Sequence, residues 1–346
     1  MIRRAAAFAI PGDITTLTGG YIYERRLLLG LRARGHDTEH IELADSFPDP
    51  SPSDMTASVQ RLAAVEPIRI LILDGLVFGA IEGLEAVIAP IVAMVHHPLA
   101  LETGLSEERR LHLFETERRN LALARHVLVP SRHTAGILSD QYDVAPEKIT
   151  IAPPGTDRPT LARQSTEPPL ILTVGLLHPR KGHDVLLRAL SQITHLPWRS
   201  VIVGRAHDPK HALMLQRLTA ELGLGDRVTF AGTVPRDKLN HLYSEATVFA
   251  LATRYEGHGM VFDEALSWGL PIVSCNGGAV LDTVPEGCGV LTNSDDTAAF
   301  AAALSDVLSR SDFRAKLSEA ATQAGAARHS WNETARIASD ALEQVK

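Results

Sequence analysis

Short aliphatic runs alternate with helix-forming segments along the whole chain, which predicts an α/β protein with parallel strands and right-handed helical crossovers. At 346 residues the chain exceeds what one hydrophobic core usually serves, so two domains are expected. Composition agrees: 45% of residues are hydrophobic but only 5% aromatic, as in parallel sheets buried on both faces by aliphatic side chains.

Residues 5–10 read as the first strand. Basic residues followed by an apolar run look superficially like a leader, but the run is short and Pro11-Gly12-Asp13 ends it. A helix over 21–34 stops at Gly35, and 40–43 is the next strand. Residues 47–53, rich in Pro and Ser, are expected to form a loop. Further strands fall at 68–73, 91–95 and 127–130, with Ser131 as a helix N-cap after the last of them. Between these, 107–126 reads as an amphipathic helix with Arg109, Arg110, Arg118, Arg119 and Arg125 beside Leu111, Leu113, Phe114, Leu121 and Leu123. A basic, apolar face suits weak peripheral contact with a membrane, yet Glu107, Glu108, Glu115 and Glu117 dilute it, and a solvated helix is the expectation. The turn-forming stretch from Pro153-Pro154-Gly155-Thr156-Asp157 to Pro169 has no apolar period. It divides a first domain at 1–157 from a second at 169–328, with 158–168 as linker. In the second domain, strands are expected at 171–174, 200–204, 228–232, 246–251 and 272–274, and helices at 237–246 and 297–309.

The most informative segment is Glu256-Gly257-His258-Gly259-Met260-Val261-Phe262-Asp263-Glu264, between the strand at 246–251 and the helix stop Trp268-Gly269-Leu270-Pro271. It is the turn of a βαβ unit, where open α/β sheets bind ligands. Its glycines let backbone approach a ligand, and the free N–H groups at Gly259, Met260 and Val261 suit a phosphate. Carboxylates repel phosphate, so Glu256 and Glu264 suit uncharged hydroxyls on either side of it, as on a nucleotide-sugar. Upstream, the strand Ile171-Leu172-Thr173-Val174 runs into Arg180-Lys181-Gly182 and then into a helix with Val185, Leu186, Ala189, Leu190 and Ile193 at helical spacing. That places two cations at the mouth of the same sheet.

These two blocks resemble the retaining family 4 glycosyltransferases of the GT-B fold. That family writes Glu-Gly-Phe-Gly and then Glu-Ala, with His258 here replacing the Phe, and a Gly-Arg-Leu stretch leading to Lys-Gly. The resemblance is strongest over 170–292. It implies two Rossmann-like, doubly wound domains facing a central cleft, a linker at the point chosen above, and a C-terminal helix, residues 329–346, returning to the first domain. It implies a nucleotide diphosphate sugar as donor, with Arg180 and Lys181 on the diphosphate, Glu264 on the ribose, Glu256 on the sugar, and the turn Thr233-Val234 beside the nucleobase. Leu176 stands where the family commonly has Arg; Arg205, after the strand 200–204, is a candidate replacement. In the first domain, His96 of His96-His97-Pro98 is the expected catalytic contact to the donor sugar, with His97 in reserve, and Gly19-Gly20 the expected cleft loop. The acceptor is a glycan, a lipid-linked molecule or a small molecule. An epimerase or hydrolase of nucleotide-sugars on the same fold, and a catalytically silent nucleotide-binding module, are the alternatives.

The net charge of −7 argues against nucleic acid as the main partner. Cys275 and Cys288 have no zinc-type spacing, and two cysteines fit a reducing cytosol. No HExxH or Asp-x-Asp pattern appears among the fifteen histidines and the acidic residues, so no metal and no cofactor are expected.

Overall fold

The computed structural model describes residues 3–345, which divide into two compact units: one formed by residues up to Gly155 and from His329 onward, the other by Thr156–Arg328.

The first unit runs β1 (Ala6–Pro11), α1 (Gly19–Ala33), β2 (Thr38–Leu43), α2 (Pro52–Ala63), β3 (Ile70–Asp74), α3 (Gly75–Phe78), β4 (Ile91–Met94), α4 (Glu107–Leu123), β5 (His126–Val129), α5 (Arg132–Gln141) and β6 (Ile149–Ile151). All strands pair in parallel, in the order β2-β1-β3-β4-β5-β6. Every residue of β1, β3 and β4 is buried, which is why these strands read as unbroken apolar runs rather than alternating ones. The chain leaves β1 for β2 on one side and returns to β3 on the other. This reversal opens a crevice at the carboxyl ends of β1 and β3, the usual ligand position of doubly wound sheets.

The second unit runs β7 (Leu170–Val174), α6 (His183–Gln192), β8 (Arg199–Val203), α7 (Pro209–Glu221), β9 (Val228–Gly232), α8 (Arg236–Glu245), β10 (Ala246–Leu251), α9 (Met260–Ser267), β11 (Ile272–Cys275), α10 (Val280–Thr283), β12 (Gly289–Thr292), α11 (Thr297–Ser309) and α12 (Ser311–Ala326). Its parallel order is β12-β11-β10-β7-β8-β9, so the direction of winding reverses between β7 and β10. Aliphatic cores cover both sheet faces, Leu186, Leu190 and Ile202 among the buried residues on one side and Phe249, Phe262 and Leu266 on the other. A final helix, α13 (Trp331–Gln344), lies on α1 of the first unit: Trp331 meets Tyr23 edge-on, and a Cβ on Gly30 would overlap that of Ala335.

Three local expectations are corrected. Gly19-Gly20 is not a loop but the first two residues of α1, with Thr18 at the N-cap position. Residues 47–53 end inside a helix, because Ser51 caps Asp54 N and Pro52 presets the first helical turn. The helix expected over 107–126 stops at Leu123, leaving His126 to begin β5. Three of its arginines are engaged with acids, Arg109 with Asp49, Arg110 with Glu107 and Arg118 with Asp143, which reduces the basic character of its surface. No helix among the described residues is long and apolar enough to cross a membrane.

Glu117 on α4 is fully buried; its Oε2 accepts from Leu99 N at 3.1 Å, while Oε1 has no partner. Burial pushes its carboxyl up to about 8. The folded chain therefore keeps a proton that the unfolded chain releases near 4.5. A group raised in this way contributes stability fully present below its unfolded value and lost as pH rises through its folded value. Stability should thus decline from about pH 4.5 to about pH 8. Glu117→Gln, which keeps the acceptor for Leu99, should flatten the denaturant midpoint against pH by about one proton, roughly 1.4 kcal/mol per pH unit. An unchanged slope would assign the effect elsewhere.

Candidate active site

The loops leaving β7 and β10, on either side of the reversal, meet each other. After β7 the chain makes a short 3-10 turn over Pro179–Lys181, in which His178 accepts from Arg180 N at 3.1 Å. Gly182 follows at φ +63°, and a Cβ there would collide with the carbonyl of Ala252. Only glycine permits this approach of the two loops. Arg254 then ties them: its N–H donates to Arg180 O at 2.8 Å, and its guanidinium bonds Asp184 at 2.9 Å, Asp295 at 2.7 Å and the Pro179 carbonyl. Hydrogen bonds from Arg254 to Asp184 hold the guanidinium charged.

At this junction Glu256 is only 4% exposed. Its Oε1 accepts from Lys181 Nζ at 2.6 Å and Thr253 Oγ1 at 2.9 Å, and Arg180 Nη1 lies 3.7 Å from Oε2. Burial by itself would raise this carboxyl, but the charges of Lys181 and Arg180 and the bonds from Lys181 and Thr253 outweigh it and leave the group below its ordinary range. Two cations thus face the Glu256 carboxylate. Beside it, Gly259 sits at φ +87° as the N-cap of α9. The amides of Met260 and Val261 make no hydrogen bond among the described residues, which gives the helix start two donors for an anion.

Glu264, the second carboxylate, receives Arg236 Nη1 at 2.7 Å and Tyr243 Oη at 2.9 Å. Both partners come from α8, so the β9–α8 turn carrying Thr233 and Val234 is drawn toward Glu264. A carboxylate has lone pairs for further donors, so these bonds do not exhaust it. Arg205 is exposed at the end of β8 beside Leu177, whose N–H donates to Arg205 O at 2.9 Å. Its guanidinium has no partner among the described residues. His258 turns from the glycine-rich loop to buried Asp263 at 2.6 Å, and Arg328 lies 3.0 Å from the same carboxylate. That pairing explains why a polar ring is tolerated where the resembling family writes Phe.

In the first unit, His96 follows β4 with Nε2 at 3.4 Å from Glu24 Oε1, and His97 lies 3.2 Å from Glu102. Gly20 lies against the His96 ring. Sequence reasoning missed Glu24, Asp74, Thr253, Arg254, Arg236 and Tyr243. One signal was available for the first: Glu24 shares a helical stripe with Leu27, Leu28 and Leu31, all buried, which marks a carboxylate turned inward. For the others, contacts between distant loops supply the partner, and no local pattern announces them.

Two doubly wound parallel sheets, the second with cations and carboxylates at its reversal point, define the GT-B class of α/β glycosyltransferase fold. The model of the family "Glycosyl transferases group 1" matches residues 158–324 and that of "Glycosyltransferase Family 4" residues 19–158. Together these span most of the chain, which belongs to the family 4 glycosyltransferases. A D-inositol 3-phosphate glycosyltransferase of Acidothermus cellulolyticus is 34% identical over 220 residues, 57% of this chain and 48% of that protein. The chain spans about half the length of the curated relatives it matches. Among solved structures, sucrose-phosphate synthase of Thermosynechococcus elongatus superposes with a TM-score of 0.80 at 22% identity, covering 96% of this chain and 97% of that one. Anabaena HepE in complex with UDP and glucose gives 0.75 at 16% identity, covering 99% and 100%. At these identities the likeness is one of fold.

Removing one partner of a buried pair strands the other charge, a loss of about 3 kcal/mol. Lys181→Met should therefore destabilise the second unit by about that much, and Glu256→Gln added to it should recover a large part. A double-mutant cycle on denaturant unfolding reads the coupling; additive losses would show that the pair is not energetically linked.

Proposed function

We propose that this protein is a retaining, metal-independent glycosyltransferase that moves a sugar from a nucleoside diphosphate to a hydroxyl acceptor. The observation that carries the reading is the junction of the β7 and β10 loops: two cations against one buried carboxylate, next to two unpaired helix-start amides. A diphosphate brings negative charge that Lys181 and Arg180 are placed to meet, Glu256 offsetting only one of these two cations. Lys181 and Arg180, with the amides of Met260 and Val261, stabilise it as it departs, the electrostatic part of catalysis that many transferases give to a divalent ion. Arg205 supplies the further cation where Leu176 has none. Glu264 accepts from the ribose hydroxyls, with Thr233 and Val234 beside the base.

Glu256, fixed as an anion, accepts from sugar hydroxyls, and His96 is assigned to a hydroxyl of the same sugar. The bond from C1 to the leaving phosphate oxygen breaks as the acceptor oxygen bonds C1 on the same face. The departing phosphate oxygen takes the acceptor proton. The curated relatives are named for D-inositol 3-phosphate, so a small phosphorylated polyol is the first acceptor class to test.

The two glutamates have separable roles. Glu264→Ala should weaken both free nucleotide and donor, raising the donor KM, whereas Glu256→Gln should leave nucleotide affinity intact while kcat falls about 100-fold. Calorimetry with UDP, GDP and ADP, and acceptor-dependent release of nucleotide, read the two effects. Full turnover by Glu256→Gln would refute this division, and epimer formation without transfer would replace the activity. Arg205→Ala should lower affinity for the nucleoside diphosphate about tenfold yet leave the nucleoside almost unaffected, the loss expected of one partly solvated charge-assisted contact. Equal losses for both ligands would remove Arg205 from the diphosphate.

A further inference from the structure

At the carboxyl ends of β3 and β4, His96 sits in a buried cluster with two carboxyl groups to which the function above gives no role. Glu24 of α1, Asp74 at the end of β3 and His96 after β4 bring one oxygen or ring nitrogen each to within 4.8 Å of one another. The two carboxyl groups are 1% and 2% exposed, with an oxygen of one within 4.8 Å of an oxygen of the other. Asp74 Oδ1 is committed to Leu76 N at 2.9 Å and Val77 N at 3.4 Å. Glu24 Oε1 faces His96 Nε2 at 3.4 Å. No Lys or Arg among the described residues forms an ion pair with either carboxylate.

We propose that Glu24 and Asp74 are positioning residues which share a proton and thereby dictate the tautomer of His96, deciding whether its Nδ1 accepts from or donates to a sugar hydroxyl. The proposal rests on the assignment of His96 to the sugar. Two uncompensated carboxyl groups in contact do not both ionise. With Glu24 charged, Nε2 holds the ring hydrogen and donates it to Glu24, so Nδ1 is an acceptor. Adding one proton to Glu24 lets its O–H donate to Nε2; the ring hydrogen then resides on Nδ1, which becomes a donor. Burial pushes Glu24 up to about 7 and Asp74 well above its usual range, and pushes His96 down, so a neutral ring and a single shared proton prevail.

The ring is held for this role. Tyr23 meets it edge-on at 5.3 Å between centroids, Thr134 of α5 donates to the His96 carbonyl at 3.3 Å, and Gly20 leaves the Nε2 edge uncrowded. The titratable groups facing it are Tyr23 and Glu24 from α1 and Asp74 from β3. Tyr23 stays protonated, its hydroxyl donating to Ala152 O at 2.8 Å, and neighbouring His97 is turned to Glu102.

Nitrogen-15 NMR of the full chain, with His96→Gln to assign the signals, tests this without requiring turnover. In the wild type, Nδ1 should pass from protonated to unprotonated shift as pH rises through about 7, while Nε2 does the reverse. Glu24→Gln should abolish the exchange, and Asp74→Asn, which retains the cap on α3, should shift its midpoint by a pH unit or more. An ordinary imidazolium titration in all three proteins would overturn the proposal, as would a wild-type tautomer that never changes. Uptake of one Mn²⁺ per chain, lost in Glu24→Gln, would overturn it in favour of a cation site. In the active protein, Glu24→Gln should flatten the limb of kcat near pH 7 and leave KM for the nucleotide donor unchanged. A tautomer switch without any turnover would keep the triad and refute the transferase reading; turnover without a switch would do the opposite.

Discussion

Burying a carboxylate is costly unless charge and hydrogen bonds replace water, and the second unit is organised around meeting that cost at Glu256. Lys181, Thr253 and Arg180 satisfy it, and they come from loops after different strands. Neither loop could hold this geometry by itself. Gly182 permits their approach, and Arg254 with Asp184 and Asp295 locks it. The pairing thus fixes the loops and keeps Lys181 and Arg180 together at the junction.

The position of that junction follows from topology. In a parallel sheet wound in both directions from one strand, the crossovers on either side of the reversal go to opposite faces and leave a crevice at the carboxyl ends, which the flanking loops line. β7 and β10 flank that reversal in the second unit, and β1 and β3 flank it in the first. Arg180, Lys181 and Glu256 occupy the one crevice, Glu24 and Asp74 the other, with His96 on the next strand's loop. Both units place ionisable groups where backbone amides and carbonyls are least used by the sheet.

The two clusters differ in how they handle charge. Around Glu256 two cations outweigh burial and keep the carboxyl ionised. Around Glu24 no Lys or Arg among the described residues forms an ion pair, burial dominates, and the carboxyl groups retain a proton near neutrality. The same residue type is thereby suited to fixed electrostatics in one unit and to proton exchange in the other, a contrast set by neighbours rather than by the side chain. His258 shows a third solution: Asp263 and Arg328 accommodate a polar ring at the start of α9.

The order of strands and helices was legible in the sequence because buried parallel strands are continuous apolar runs. β10 at Ala246–Leu251 and α11 at Thr297–Ser309 fall where apolar pattern and turn residues put them. The short strand at Ile149–Ile151 and the helix start at Pro52 escaped notice, the first too brief for a pattern and the second hidden in a Pro- and Ser-rich stretch. Arg180, Lys181 and Glu256 were legible as chemistry in the turns after strands, and Glu264 as a carboxylate within the helix that follows. What only the tertiary structure decided is their pairing: that Lys181 meets Glu256 across 75 residues of chain, and that Glu264 is held by Arg236 and Tyr243. A sequence carries local periodicity and side-chain chemistry, whereas the partner of a buried charge is chosen by which loops the sheet order brings together.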